Sequence, residues 1–106
     1  MKPAIPDTLV ELKKQLKAIY GDRLKGVYVF GSYARGEARP ESDLDVLIVL
    51  DHVDDYSREI DRTSAVISEL SLRSGVAISR VFVPEQRWET DQTNFFLNVR
   101  EEAVPA

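Results

Sequence analysis

The chain has no cysteine, which excludes disulfide staples and thiolate metal sites and fits a reducing compartment. Long apolar runs are missing too. The run from Val46 to Leu50 falls far short of the ~20 residues that a membrane span needs. No apolar stretch near the amino end resembles a signal peptide, so the cytoplasm is the expected location. Blocks of positive charge are also absent: no run of Lys or Arg exceeds two and the net charge is −4, so nothing here would grip a long nucleic acid. No internal repeat or low-complexity tract is visible. What remains is 106 residues, 43% apolar and 30% charged, the proportions of one globular domain spanning 1–106, with a single core and little left for a second lobe.

Chemistry concentrates between Gly31 and Asp45, which read Gly-Ser-Tyr-Ala-Arg-Gly-Glu-Ala-Arg-Pro-Glu-Ser-Asp-Leu-Asp. The stretch opens after Val27-Tyr28-Val29-Phe30 and closes into Val46-Leu47-Ile48-Val49-Leu50, so two buried strands bracket a polar, glycine-containing connection. Gly31-Ser32 can form a tight turn whose backbone N–H groups point at an anion such as a phosphate, and the Ser32 hydroxyl adds a donor. Asp43 and Asp45 stand at i and i+2 and project from the same face of the second strand. Two carboxylates that close repel each other unless a cation lies between them. Oxygen-only ligation of this charge suits Mg²⁺ or Mn²⁺ bridging to substrate phosphates. Either half alone is a common surface feature, a turn or an acidic strand end; the pairing is what points to chemistry.

Gly-Ser, ten residues, then Asp-x-Asp running into an apolar strand resembles the signature of the DNA polymerase β-like nucleotidyltransferase superfamily. The filling residues Ala34-Arg35-Gly36 and Ser42-Asp43, and the closing segment from Phe96 to Glu102, look like its small bacterial and archaeal branch, the minimal nucleotidyltransferases encoded beside HEPN-domain proteins. The resemblance implies a palm-like core and transfer of AMP from ATP. Asp43 and Asp45 would hold the catalytic metal, Gly31 and Ser32 would position the β- and γ-phosphates, and Arg35 would meet phosphate charge. It also implies an acceptor: a hydroxyl, for instance of a tyrosine, on a partner HEPN-domain toxin, which would make this chain an antitoxin. Two other functions compete. One is a binding module that silences its partner by occlusion, its nucleotide site vestigial. The other is transfer to a small molecule, as in aminoglycoside-modifying relatives, against which the short chain argues. The chain also departs from the pattern. Superfamily enzymes usually take a third carboxylate from the strand after the covering helix, and here Val76 to Val83 holds no acid. Ser79, or Ala77 if the alignment slips by two, takes that place. A hydroxyl is a much weaker ligand for Mg²⁺ than a carboxylate, and no general base is evident, so turnover is expected to be slow or partner-assisted.

In order, Met1–Pro6 reads as an irregular lead-in, and Asp7 as the N-cap of a helix carrying Leu9, Leu12, Leu16, Ile19 and Tyr20 at steps of three and four. Leu24–Phe30 is a strand with Gly26 as a possible bulge. Tyr33–Gly36 is one helical turn, and a loop with Arg39 and Pro40 follows. Leu44–Leu50, apolar on both faces past the aspartates, is the central strand. The only histidine, His52, lies in the acidic loop after it, roughly 20 Å from Asp45 at about 3.3 Å per residue, and so outside the site. A covering helix over Tyr56–Arg73 and a third strand over Val76–Val83 come next. The last segment, polar around Trp88 and helix-like at Phe95, Phe96, Val99 and Ala103, either packs a sheet edge or presents a partner surface. The sum is an α+β domain: a small mixed sheet of three to four strands backed by helices on one side.

Overall fold

The computed structural model describes residues 4–106. Helix α1 (Ala4–Tyr20) starts earlier than its expected cap. Pro6 lies in its first turn, where the missing N–H has no intrahelical partner to lose, and Asp7 therefore sits inside that turn rather than capping it. Met1–Pro3, the rest of the expected lead-in, lie outside the described residues. The stripe at three-and-four spacing buries Leu12 and Leu16 completely. A 3₁₀ turn, Gly21–Arg23, leads into β1 (Leu24–Phe30), where the register shifts between Leu24 and Gly26. The order continues α2 (Ser32–Arg35), β2 (Leu44–Leu50), α3 (Tyr56–Ser74), β3 (Ile78–Pro84), α4 (Glu85–Thr90), α5 (Asn94–Glu102) and β4 (Val104–Pro105). Asp55 caps α3 by accepting from the Arg58 N–H, and Gly75, at φ 72°, ends it in the left-handed conformation. No helix of the described residues is long and apolar enough to cross a membrane.

The sheet runs β3-β2-β1-β4, with β2 antiparallel to β1 and parallel to β3. Every β2 side chain except Asp45 is buried, as expected of the central strand. One face packs Val27, Val29, Val46, Ile48 and Phe82 against α1 and α3. The other packs Leu47, Val49 and Val83 against Phe96 and Val99 of α5, with Tyr28, Phe30 and Trp88 at its margin. Helices thus cover both faces, not one. A helix as short as α5 suffices because Phe96 and Val99, three apart, lie on one side of it. This settles most of the aromatic tail: Phe96 is buried and the Trp88 ring lies 4.9 Å from that of Tyr28, while Phe95 and Leu97 remain 46% and 43% exposed. The fourth strand, β4, pairs with the outer edge of β1 through Tyr28↔Pro105 and Val29↔Val104.

Farther from the β1–α2 turn, the Tyr20 hydroxyl donates to the buried Glu59 at 2.8 Å. Arg23 and Arg62 approach the same carboxylate at 3.8 and 3.5 Å. Arg23 also pairs with Asp51 at 3.0 Å, so one network joins α1, the 3₁₀ turn, α3 and the residue following β2.

Candidate functional site

Strand β1 stops at Phe30, whose antiparallel partner is Asp45. Gly31 then takes φ 74°, ψ −154°, a conformation essentially confined to glycine. A Cβ there would also run into Asp45 Oδ2, so the turn and the carboxylate fit only while residue 31 has no side chain. The single turn α2 follows. The Arg35 N–H donates to the Gly31 carbonyl at 3.1 Å, and the Glu37 N–H donates to that of Ser32 at 2.9 Å across the left-handed Gly36. The Ser32 hydroxyl has no hydrogen-bond partner among the described residues, and is left available to a ligand.

Asp43 is exposed and Asp45 half-buried. By strand parity they share the face of Leu47 and Val49, the one covered by α5. Burial, and next the charge of Asp43, hold the Asp45 carboxyl above the usual carboxylate range; Arg35 opposes the shift and Glu102 adds to it. A site whose ionised form is disfavoured by its neighbours gains from a cation, and the oxygen-only donors suit a hard one. Among the described residues no group of three or more His, Asp or Glu side chains is gathered as a ligand set. An ion held by Asp43 and Asp45 would complete its shell from water or substrate oxygens.

Ser79 stands next to Asp45 in the parallel β2–β3 register, and its parity matches Val81 and Val83, which pack toward α5. Ala77 precedes β3, its carbonyl accepting from the Leu44 N–H at 2.9 Å. Of the two alternatives for the missing acid, Ser79 is therefore the neighbour of Asp45. The guanidinium of Arg35 is gripped by carboxylates, Nε by Glu37 at 2.8 Å and Nη1 by both oxygens of Glu102 at 3.3 Å. Glu102 also accepts the Gly31 N–H at 2.6 Å, so this donor, expected from the sequence to point at a ligand anion, is engaged by a carboxylate of the chain instead. From the sequence Glu102 stands out only as part of the closing segment; its position three residues past Val99, on the sheet side of α5, is the signal that points to it. Arg39 is exposed, its backbone N–H donating to Ser42 Oγ at 2.9 Å. His52 pairs with Asp51 and Asp54 at 3.1 and 3.3 Å beyond the far end of β2, outside this cluster.

A family model for the nucleotidyltransferase domain matches residues 9–98. A Methanocaldococcus jannaschii protein provisionally named a protein adenylyltransferase is 37% identical over 93 residues, covering 87% of each chain. The protein adenylyltransferase MntA of Thermococcus cleftensis is 36% identical over 69 residues, 65% of this chain and 68% of that one. A crystal structure of a toxin–antitoxin complex with AMP-PNP is similar in fold, with a TM-score of 0.64 at 16% identity, covering 93% of this chain and 69% of its own. The model match takes in the Gly31 turn, both aspartates and the whole sheet except β4, and the chain belongs to the nucleotidyltransferase domain family.

Proposed function

We propose that the chain transfers AMP from ATP to a hydroxyl, in our reading a tyrosine, of a partner HEPN-domain toxin, and so acts as an antitoxin. The observation that carries this reading is the Asp43/Asp45 pair set against the glycine-only turn at Gly31. The adenylyltransferase names of the relatives and the AMP-PNP in the similar toxin–antitoxin structure support it. In the reaction the acceptor oxygen bonds to the α-phosphorus, the bond to the β-phosphate oxygen breaks, and pyrophosphate leaves. Asp43 and Asp45 would hold Mg²⁺ or Mn²⁺, which when bound supplies positive charge to the phosphoryl oxygens. The Ser32 hydroxyl and the turn orient the β- and γ-phosphates, and Arg35 meets their charge. Ser79 is neutral and cannot take the acceptor's proton at neutral pH. The proton passes to water or to a group that the partner brings, which makes transfer slow without the partner.

The test is incubation of the purified chain and its co-expressed partner with α-labelled ATP and Mg²⁺. Label on the partner is the expected result. A second reading, silencing by occlusion with a vestigial site, draws on Ser79 in the place of an acid. A tight complex that stays unlabelled would favour it.

A further inference from the structure

We infer that Glu102 is a positioning residue for the nucleotide: it sets the Gly31 turn and aims Arg35, without itself touching the substrate. The inference rests on the nucleotidyl-transfer reading of this site and adds to it a residue from the far end of the chain. Its carboxylate accepts the Gly31 N–H at 2.6 Å, a charge-assisted bond to a donor that β1 has just released. Both its oxygens lie 3.3 Å from Arg35 Nη1, while Glu37 holds Nε at 2.8 Å. Two of the three guanidinium nitrogens are thus fixed, one by a residue two positions away and one by a residue 67 positions away. Nη2 has no partner among the described residues and is left, with the Ser32 hydroxyl, to face a phosphate oxygen.

The carboxylate is itself held in place. Phe96 and Val99 anchor α5 on the sheet, and two residues beyond Glu102 the chain is fixed to β1 through Val29↔Val104. Glu102 adds negative charge at Asp45 yet forms no three-carboxylate ligand group with Asp43 and Asp45. Its contacts run to the turn and to the arginine.

The experiment uses the full chain with Glu102→Ala and Glu102→Gln. It reads ATP affinity in the presence of Mn²⁺, the KM for ATP against the maximal rate of label transfer, and the Gly31 amide resonance. Alanine removes the acceptor; glutamine keeps a carbonyl that can still take the Gly31 N–H. Expected for Glu102→Ala are ATP binding about tenfold weaker or more, the size of a lost charged hydrogen bond, a raised KM with the saturated rate little changed, and a displaced Gly31 amide signal. Glu102→Gln should recover much of the affinity and the wild-type signal. A merely structural role would not give this split and rescue. With wild type binding ATP, equal affinity in Glu102→Ala overturns the inference. Tighter affinity overturns it as well, since the carboxylate would then be competing with phosphate. A wild type that binds no ATP instead refutes the nucleotidyl-transfer reading itself.

Discussion

Replacing Gly31 and Gly36 separately with alanine distinguishes backbone strain from disruption of the site. Both glycines have positive φ, 74° and 72°. At Gly36, ψ is 23°, an ordinary left-handed conformation, and a Cβ would meet nothing within 4 Å. Gly36→Ala should therefore cost only about 1 kcal/mol of left-handed strain, or ~4–8 °C in Tm for a domain of about this size. At Gly31, ψ is −154°, a region worth about 1–3 kcal/mol against any other residue. The added Cβ would also press on Asp45 Oδ2, and forced overpacking typically costs about 1–3 kcal/mol more. The expected loss for Gly31→Ala is thus at least twice that for Gly36→Ala. Asp45 has to move to make room, so Mn²⁺ binding should fall steeply in Gly31→Ala and stay near wild type in Gly36→Ala. Thermal melting by circular dichroism and calorimetric Mn²⁺ titration read the two effects. Equal Tm losses, or a Gly31→Ala variant with wild-type Mn²⁺ affinity, would refute the placement of Asp45 against the turn.

ATP with Mg²⁺ should raise the Tm of wild type by mass action, and Asp43→Asn or Asp45→Asn should remove most of that rise; an unchanged shift in both would show that these residues are not the ligands. In the metal-free protein Asp45 is held above the usual carboxylate range, so its ionised form opposes folding at neutral pH and the penalty is relieved as pH falls through its folded pKa. Asp45→Asn should accordingly melt higher than wild type at pH 7, an advantage that fades in acid, and a lower Tm at pH 7 contradicts the sign. Asp55, held below 3.8 by the Ser57 hydroxyl and the Arg58 N–H, and Asp91, held below it by Thr93, act in the opposite sense: their contribution is present above 3.8 and lost as pH falls through their folded values. Ser79→Asp should tighten Mn²⁺ binding by placing an acid beside Asp45; titration showing no change would mean that Ser79 does not face the ion. Tyr20→Phe should cost about 1–3 kcal/mol by stripping the buried Glu59 of its hydroxyl donor, and a denaturant midpoint equal to wild type's would show that the bond contributes nothing.

The turn and the two aspartates were legible because they are local. Gly31, Ser32, Asp43 and Asp45 sit in one stretch between two apolar strands, and period-two counting alone puts both carboxylates on one face. Ser79 was reachable by counting past the covering helix, though only the β2–β3 register chose it over Ala77. What escaped depended on distant pairing. Val104–Pro105 has no pattern of its own and becomes a strand only because β1 offers an open edge. Glu102 gains its role from an approach between residues 71 positions apart; its step of three from Val99 puts it on the sheet side of α5, but only the fold brings that side to Gly31. Pro6 suggests an irregular lead-in, yet the first turn of a helix tolerates it, and α1 already runs through it. The helical cover on the second face was implied by Leu47, Val49 and Val83, but the chain offered several short apolar segments and no local signal that Phe96 and Val99 supply it.

Strand β2 ties the site to the stability of the whole molecule. On one face it passes from Asp45, with Asp43 just ahead of the strand, to Leu47 and Val49, so the change from charge to core takes place across a single step of the pleat. Leu47 and Val49 are almost fully buried, and each contributes on the order of 1.5–3 kcal/mol by leaving water. That burial holds Asp45 half-covered beside Asp43 despite their repulsion. A carboxylate pair kept together by packing carries its strain before any cation arrives, so that binding of a cation there would relieve the strain rather than assemble the site. The coupling runs both ways by linkage. Whatever loosens the β2 core should weaken ion binding, and an ion at Asp43/Asp45 should stiffen the strand on which the sheet is built.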